Sequence, residues 1–415
     1  MTSNALLAGR QEHLDGLRGL AASVVVLCHF VWAFFPFGTL GGASPLHGGW
    51  EAALLYPPLG LLVAGHFAVC LFFLLSGYVL ALPFMLKGTY WKELVVATVK
   101  RPFRLMGIVL ATSLLSWLLW RLGLYHNHEV ARLSGSAWFD YFWSSEPPET
   151  GVFASQFISS TFDLATACNP PLWTIKRELL GSFMVYCILL AGRTWLLRWG
   201  ILLVSAWWFS GNLFQCFVIG VMIADLYCWW GRTLPVARFP LWLSAALIVI
   251  TVICGSYPKY AMTYSTAYAS SYWFFTQRLP WLGGGWSMLG AIAIFIFVLH
   301  SPVAQRLLTR PAVLFLGRVS YSLYGLHFLI LGSVSSWVFL AALPAGGYLG
   351  AAALALLSLV ISTLACAKML HATVDTFSIW GSRIIGAQVR RLLTWRVPPS
   401  LTCPEVKPNS QSNPL

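Results

Sequence analysis

Long apolar runs recur through this chain, from about Leu20 to a segment ending near Leu370, each bounded by charges, prolines or glycines. A run of about 17–25 such residues has no polar face to turn to water and reads as a membrane-spanning helix. Ten candidate spans lie near 20–37, 59–82, 105–122, 172–191, 198–210, 213–230, 239–255, 286–300, 314–334 and 347–370. The run at 198–210 is short and is divided from the next by little more than Gly211 and Asn212, so nine or eleven crossings stay open. Composition points the same way. Of 415 residues 58% are apolar and only 9% are charged, against roughly 25% charged in a soluble domain. The polar side chains are too few to coat a globule.

The expected fold is an all-α polytopic membrane protein with about ten transmembrane helices and cytosolic N- and C-termini. A net charge of +13 raises nucleic acid as a partner, but the distribution of that charge excludes it. With the N-terminus placed in the cytosol, all but six of the 26 Lys and Arg residues fall on the cytosolic side. The six are Arg121, Arg132, Lys176, Arg177, Lys259 and Arg278. That split follows the positive-inside rule and supports an even number of spans. The basic balance therefore describes topology in a lipid bilayer.

One membrane domain is expected over residues 1–390, followed by a Pro- and Ser-rich cytosolic tail, 391–415, of disordered composition. The first apolar run lacks a small-residue cleavage site and is expected to be retained as the first span. Nine cysteines are scattered singly, without CxxC or metal-type spacing, so neither a disulfide framework nor a metal is expected. No period repeats along the chain, which disfavours folds built from duplicated halves. Two outer loops, about 123–171 and 256–285, are rich in aromatic residues, including WFDYFW at 138–143. These rings read either as an interfacial belt or as a platform for a ring-shaped substrate.

The candidate chemistry begins in HLDGLRGLAASVVVLCHF, residues 13–30. Arg18 and His29 are 11 positions apart, roughly 20° from three full turns, so they share a helix face at roughly 16 Å separation. Asp15 lies one turn before Arg18 and can pair with it. His29 falls near mid-span, where an ionisable group faces the protein interior or a water-filled cavity. A neutral histidine bonding a neighbouring carbonyl is the structural alternative. Ser76 and Gly77, in GHFAVCLFFLLSGYVL, suit close helix packing better than a nucleophile, and His66 is either cavity-lining or interfacial. Arg101 and Arg104, in a cytosolic loop leading to a helix start, suit phosphate oxygens or plain membrane anchoring. Glu178, at the outer end of the fourth span, could share a site with a histidine or pair with Lys176 or Arg177. His327 lies near mid-depth in the ninth span.

These motifs, taken in order, resemble the acyltransferase 3 family of integral membrane acyltransferases. HLDGLRG with the Arg18–His29 spacing is similar to that family's opening segment. FFLLSGY at 72–78, the Arg101–Arg104 pair, Leu172-Trp173 with Glu178, and SYSLYGLH at 320–327 match further elements of it. The wording at 172–186 looks most like the fungal members. One departure is HATVDTFSIWGSR, with Asp375 where the family often shows Glu-x-Pro, and it bears on how the C-terminal segment packs.

The resemblance implies acyl transfer from acyl-CoA, acetyl-CoA by default, to a hydroxyl or amine. The donor is a co-substrate and no cofactor is bound permanently. On that basis His29 activates the acceptor or transiently takes the acyl group. Glu178 orients His29 or exchanges a proton, and Arg18 fixes the helix end and helps hold the donor. Arg101 and Arg104 neutralise phosphates, and His327 lines the same cavity, with Asp15 and Ser76 as further binding candidates. The acceptor is left among a secondary metabolite, a terpenoid or sterol, a lipid and a carbohydrate or glycan. The expected membrane is the endoplasmic reticulum if the host is eukaryotic and otherwise the plasma membrane. The rival reading from the residues is a transporter using His29, Glu178 and His327 as a proton or substrate path.

Overall fold

The computed structural model describes residues 11–87, 91–159, 161–233, 239–259 and 282–395. Most of the second outer loop, Arg278 and all but the first residues of the expected tail lie outside the described residues. Eleven longer helices organise the described residues, with no strand among them. They are α1 (Glu12–Phe34), α2 (Gly65–Lys87), α3 (Trp91–Arg121), α4 (Trp173–Ala191), α5 (Trp195–Trp208), α6 (Phe214–Thr233), α7 (Leu241–Gly255), α8 (Gly285–His300), α9 (Pro311–Ile330), α10 (Ser336–Leu370) and α11 (Thr376–Trp395). Each of the ten apolar runs falls on one of α1–α10. Among the described residues four helical stretches, α1, α2, α3 and the continuous run through α9–α11, are long and apolar enough to cross a membrane, or five if α8 and the bent segment Pro302–Leu308 count as one. The chain is an all-α integral membrane protein.

Close backbone approaches set the bundle. A Cβ on Gly19 would lie 2.5 Å from the Gly317 nitrogen, and one on Gly317 would lie 2.3 Å from the Asp15 carbonyl oxygen, so α1 and α9 meet backbone to backbone. The same holds for α2 and α6, where Cβ atoms on Gly77 and Gly220 would each stand 2.2 Å from a carbonyl oxygen of the other helix. The expected packing role of Gly77 is therefore present. The α10 segment is broken at Gly347 (φ 60°). Its halves fold back, so that Ser335 Oγ donates to the Ala355 carbonyl at 2.7 Å.

Three local expectations are corrected. Arg101 and Arg104 do not lie in a loop, because α3 begins at Trp91 and runs through them. Hydropathy ends a span at a charge, whereas the backbone helix continues under tertiary support, here from α11 packed along α3. The tail does not begin at 391, since α11 extends to Trp395 and its Arg390 holds Glu93 at 3.0 and 2.6 Å.

The third correction concerns the long segment between α3 and α4, expected as an outer loop, which folds back into the bundle. Ser136 Oγ donates to the Trp32 carbonyl at 2.6 Å, and Trp143 Nε1 donates to the Cys168 carbonyl at 3.0 Å. Fully buried Asn169 donates from Nδ2 to the Gly325 carbonyl at 2.7 Å. That anchoring starts α4 inside the bundle and sets Glu178 beside Arg101 of α3.

Candidate active site

Two cavities meet along the inner faces of α1, α2, α4 and α9. The first, of about 420 Å³, is lined by four arginines: Arg18, Arg101, Arg104 and Arg318. Three carboxylates, Asp15, Glu178 and Asp375, line it as well, together with Ser76 and His371. Each carboxylate holds its own guanidinium. Asp15 lies 3.5 Å from Arg18, Glu178 accepts from Arg101 Nη2, and Asp375 accepts from Arg104 Nη1. Arg101 is also oriented by Nε donating to Ser182 Oγ at 2.8 Å, and Arg104 lies over the Tyr321 ring at 5.7 Å. A guanidinium carries five N–H donors, so pairing with one carboxylate positions each arginine without exhausting it. Arg318 has no carboxylate partner among the described residues, and it tips the cavity towards positive charge.

Asp375 was legible only as a departure from a motif. In the structure its second oxygen also takes His371 Nδ1 at 2.7 Å, so this buried carboxylate ties the α10–α11 junction to α3. Arg318 and His371 were not singled out from sequence. Helix position alone gives neither, because ordinary cytosolic-side charges have the same appearance.

The second cavity, of about 290 Å³, shares Val69 and Tyr324 with the first, and His29 lines it. His29 and His327 are brought together: His29 Nδ1 lies 2.8 Å from His327 Nε2, and the ring planes are 4° apart. The tautomers follow from the far end. His327 Nδ1 lies 2.8 Å from the Tyr324 backbone carbonyl. A carbonyl only accepts, so Nδ1 carries the hydrogen and the neutral ring presents Nε2 as an acceptor. His29 must then donate from Nδ1. Its Nε2 keeps a lone pair and has no protein partner among the described residues.

The expected Glu178–His29 pairing is absent. Glu178 is engaged by Arg101 in the arginine cavity, and no carboxylate contacts either histidine ring among the described residues. Arg18 likewise lines the arginine cavity and not the histidine one, as the separation along α1 requires. His66 is cavity-lining, with Nε2 accepting from Lys259 Nζ at 3.2 Å.

The aromatic loop residues are part of the site. Trp138 stacks on His29 with ring centroids 5.4 Å apart and planes 25° apart, and Phe328 meets the same ring edge-on. Phe142, Pro170, Pro171 and Trp173 complete that wall. WFDYFW carried the signal in sequence, but its composition alone did not separate a belt from a platform.

An integral membrane protein with a histidine pair at an aromatic cavity, beside a cavity lined by arginines, has the make-up of a membrane-bound group transferase. The acyltransferase-domain family profile matches residues 12–367, and the chain belongs to that family of integral membrane acyltransferases. It is 22% identical over 416 residues to acyltransferase clz18 of Cochliobolus lunatus, covering 79% of this chain and 84% of that protein. It is 24% identical over 428 residues to acyltransferase R4 of a Phoma species, covering 81% and 86%. Both relatives are fungal, as the motif wording suggested. No solved structure matches the chain.

Proposed function

We propose that this protein transfers an acyl group, acetyl by default, from acyl-CoA to a hydroxyl of a small acceptor, with His29 as the general base. The observation that carries the reading is the hydrogen-bonded series His29 Nδ1–His327 Nε2 and His327 Nδ1–Tyr324 carbonyl. It leaves His29 Nε2 unprotonated in a chamber that adjoins a cavity of arginines. In the reaction, the acceptor O–H gives its proton to His29 Nε2 as the oxygen attacks the thioester carbonyl. The C–S bond then breaks, and the departing thiolate takes the proton from His29. His327 steadies the transient imidazolium as a neutral acceptor.

Arg101, Arg104, Arg18 and Arg318 hold the donor's phosphates at the cytosolic mouth. Asp15, Glu178 and Asp375 keep the guanidiniums in place, so Glu178 acts as a positioning residue. The roughly 16 Å between Arg18 and His29 along α1 suits a pantetheine arm that enters past Val69 and Tyr324. We place the termini in the cytosol with about ten crossings and assign the protein to an endomembrane, the endoplasmic reticulum in a eukaryotic host. The fungal-like wording at 172–186 favours a small secondary metabolite as the acceptor.

The test is acyl-CoA turnover by detergent-purified wild type and His29→Ala over a panel of hydroxylated acceptors. Acylated product from wild type, with none from a monodisperse His29→Ala, supports the reading. Full activity in the variant removes His29 as the base.

A further inference from the structure

We propose that the acceptor is a compact, largely apolar alcohol with a planar ring system, bound face-on to Trp138 with its hydroxyl on His29 Nε2. This assignment rests on the acyl-transfer reading above and concerns what the chamber selects.

The chamber walls carry six large rings: Trp32, Trp138, Phe142, Trp173, Tyr324 and Phe328. Trp138 is fixed in its orientation. It meets Trp32 edge-on at 4.8 Å, Phe142 at 5.1 Å and Phe328 at 5.6 Å, while its own face runs along the His29 ring. A ring held on several sides is a rigid platform that loses little freedom when a flat ligand stacks on it.

Apart from His29, the Cys28 thiol and the indole N–H groups of Trp32, Trp138 and Trp173, the polar side chains of the chamber are few and committed. Thr166 Oγ1 donates to the Phe162 carbonyl at 2.8 Å. The Tyr324 hydroxyl is engaged by Thr174 and the Pro171 carbonyl, and His66 by Lys259. No Asp, Glu, Asn, Gln or Arg lines this chamber among the described residues.

Sugars also stack on aromatic faces, but each of their remaining hydroxyls needs a partner once water is gone, and an unpaired one is costly. A ring alcohol brings a single hydroxyl, which His29 Nε2 accepts. The volume of about 290 Å³ sits at the small end of ligand cavities. It suits a ring alcohol of two or three fused rings and excludes a glycan chain.

The experiment uses the full-length protein in detergent, 2-naphthol as the ring alcohol, methyl β-glucoside as the sugar and acetyl-CoA as the donor. Binding is read by calorimetry without donor, and transfer by product formation. Variants are Trp138→Ala, Trp138→Leu and Trp138→Phe, each checked for monodispersity.

The expected result is 2-naphthol binding within threefold of wild type for Trp138→Phe and at least tenfold weaker for Trp138→Ala and Trp138→Leu. The acceptor KM should rise by the same factor with kcat within threefold. Tighter binding or a higher kcat/KM for methyl β-glucoside overturns the proposal, as does unchanged 2-naphthol binding in both truncated variants. Transfer to the glucoside in preference leaves the transferase reading standing while removing this one. Trp138-dependent 2-naphthol binding without transfer from any acyl-CoA does the reverse.

Discussion

Replacing His327 separates two roles that its geometry combines. In the structure its Nε2 receives the His29 Nδ1 hydrogen at 2.8 Å and its Nδ1 is tied to the Tyr324 carbonyl at 2.8 Å. His327→Ala removes the acceptor. His29 then has no bond selecting the tautomer with a free Nε2, a net loss of about 0.5–1.5 kcal/mol, or a factor of roughly 2–13. The freed ring also misplaces its lone pair, for which losses of about 10²-fold are typical. Multiplied, the two give a fall in kcat of roughly 200- to 1,000-fold, with both KM values within about threefold.

His327→Gln offers an amide oxygen to His29 and an amide N–H₂ towards Tyr324. It should recover most of the loss. The assay is steady-state acyl transfer from acyl-CoA by purified protein, with thermal unfolding to confirm folding. If His327→Ala keeps kcat within twofold while His29→Ala is inactive, the tautomer selection described here plays no part in the reaction. A loss that appears wholly in KM refutes it equally.

Breaking the Arg101–Glu178 pair on one side, by Arg101→Ala or Glu178→Ala, leaves a charge at 13–18% side-chain exposure and should cost about 3 kcal/mol. The double variant should be more stable than the sum of the singles implies, as read by thermal unfolding and a double-mutant cycle. Gly317→Ala sets a methyl 2.3 Å from the Asp15 carbonyl and should abolish the folded, monodisperse protein, whereas Gly346→Ala, with its nearest atom at 3.5 Å, should be silent in size-exclusion yield.

In the loop between α1 and α2, burial pushes the Glu51 carboxyl above its ordinary value, opposed by the backbone N–H groups of His47 and Gly48 at 2.6 and 2.7 Å. The folded state thus holds a proton that the unfolded chain has already released. Glu51's contribution to stability is greatest below the ordinary carboxylate value and declines as pH rises through the window above it. Glu51→Gln should remove that downward slope in melting temperature as pH rises above the ordinary carboxylate value. Glu51→Leu should instead cost about 1–3 kcal/mol at every pH for the N–H groups it strands.

Much of this protein was legible in the order of its residues. Apolar runs long enough to close their own hydrogen bonds specify helices whatever surrounds them, and each of the ten runs lies on one. The Arg18–His29 spacing also carried through, because one continuous helix converts separation in sequence directly into separation in space. Gly77 announced a close helix approach by its lack of a side chain.

The partners of those residues were decided elsewhere. Which group meets His29 depends on how α1 crosses α9, and that crossing depends on Gly19 and Gly317, almost 300 positions apart. His327 was therefore visible as a candidate but not as the acceptor for His29. Glu178 was visible as a carboxylate but was assigned to the wrong neighbour, because its depth follows from a loop anchored by Asn169 and Trp143. Trp138 reached the site by the same folding-back. Hydropathy and helical periodicity are local quantities and decide which segments become helices. The site is made of contacts between segments, and only the packing of the whole bundle chooses those.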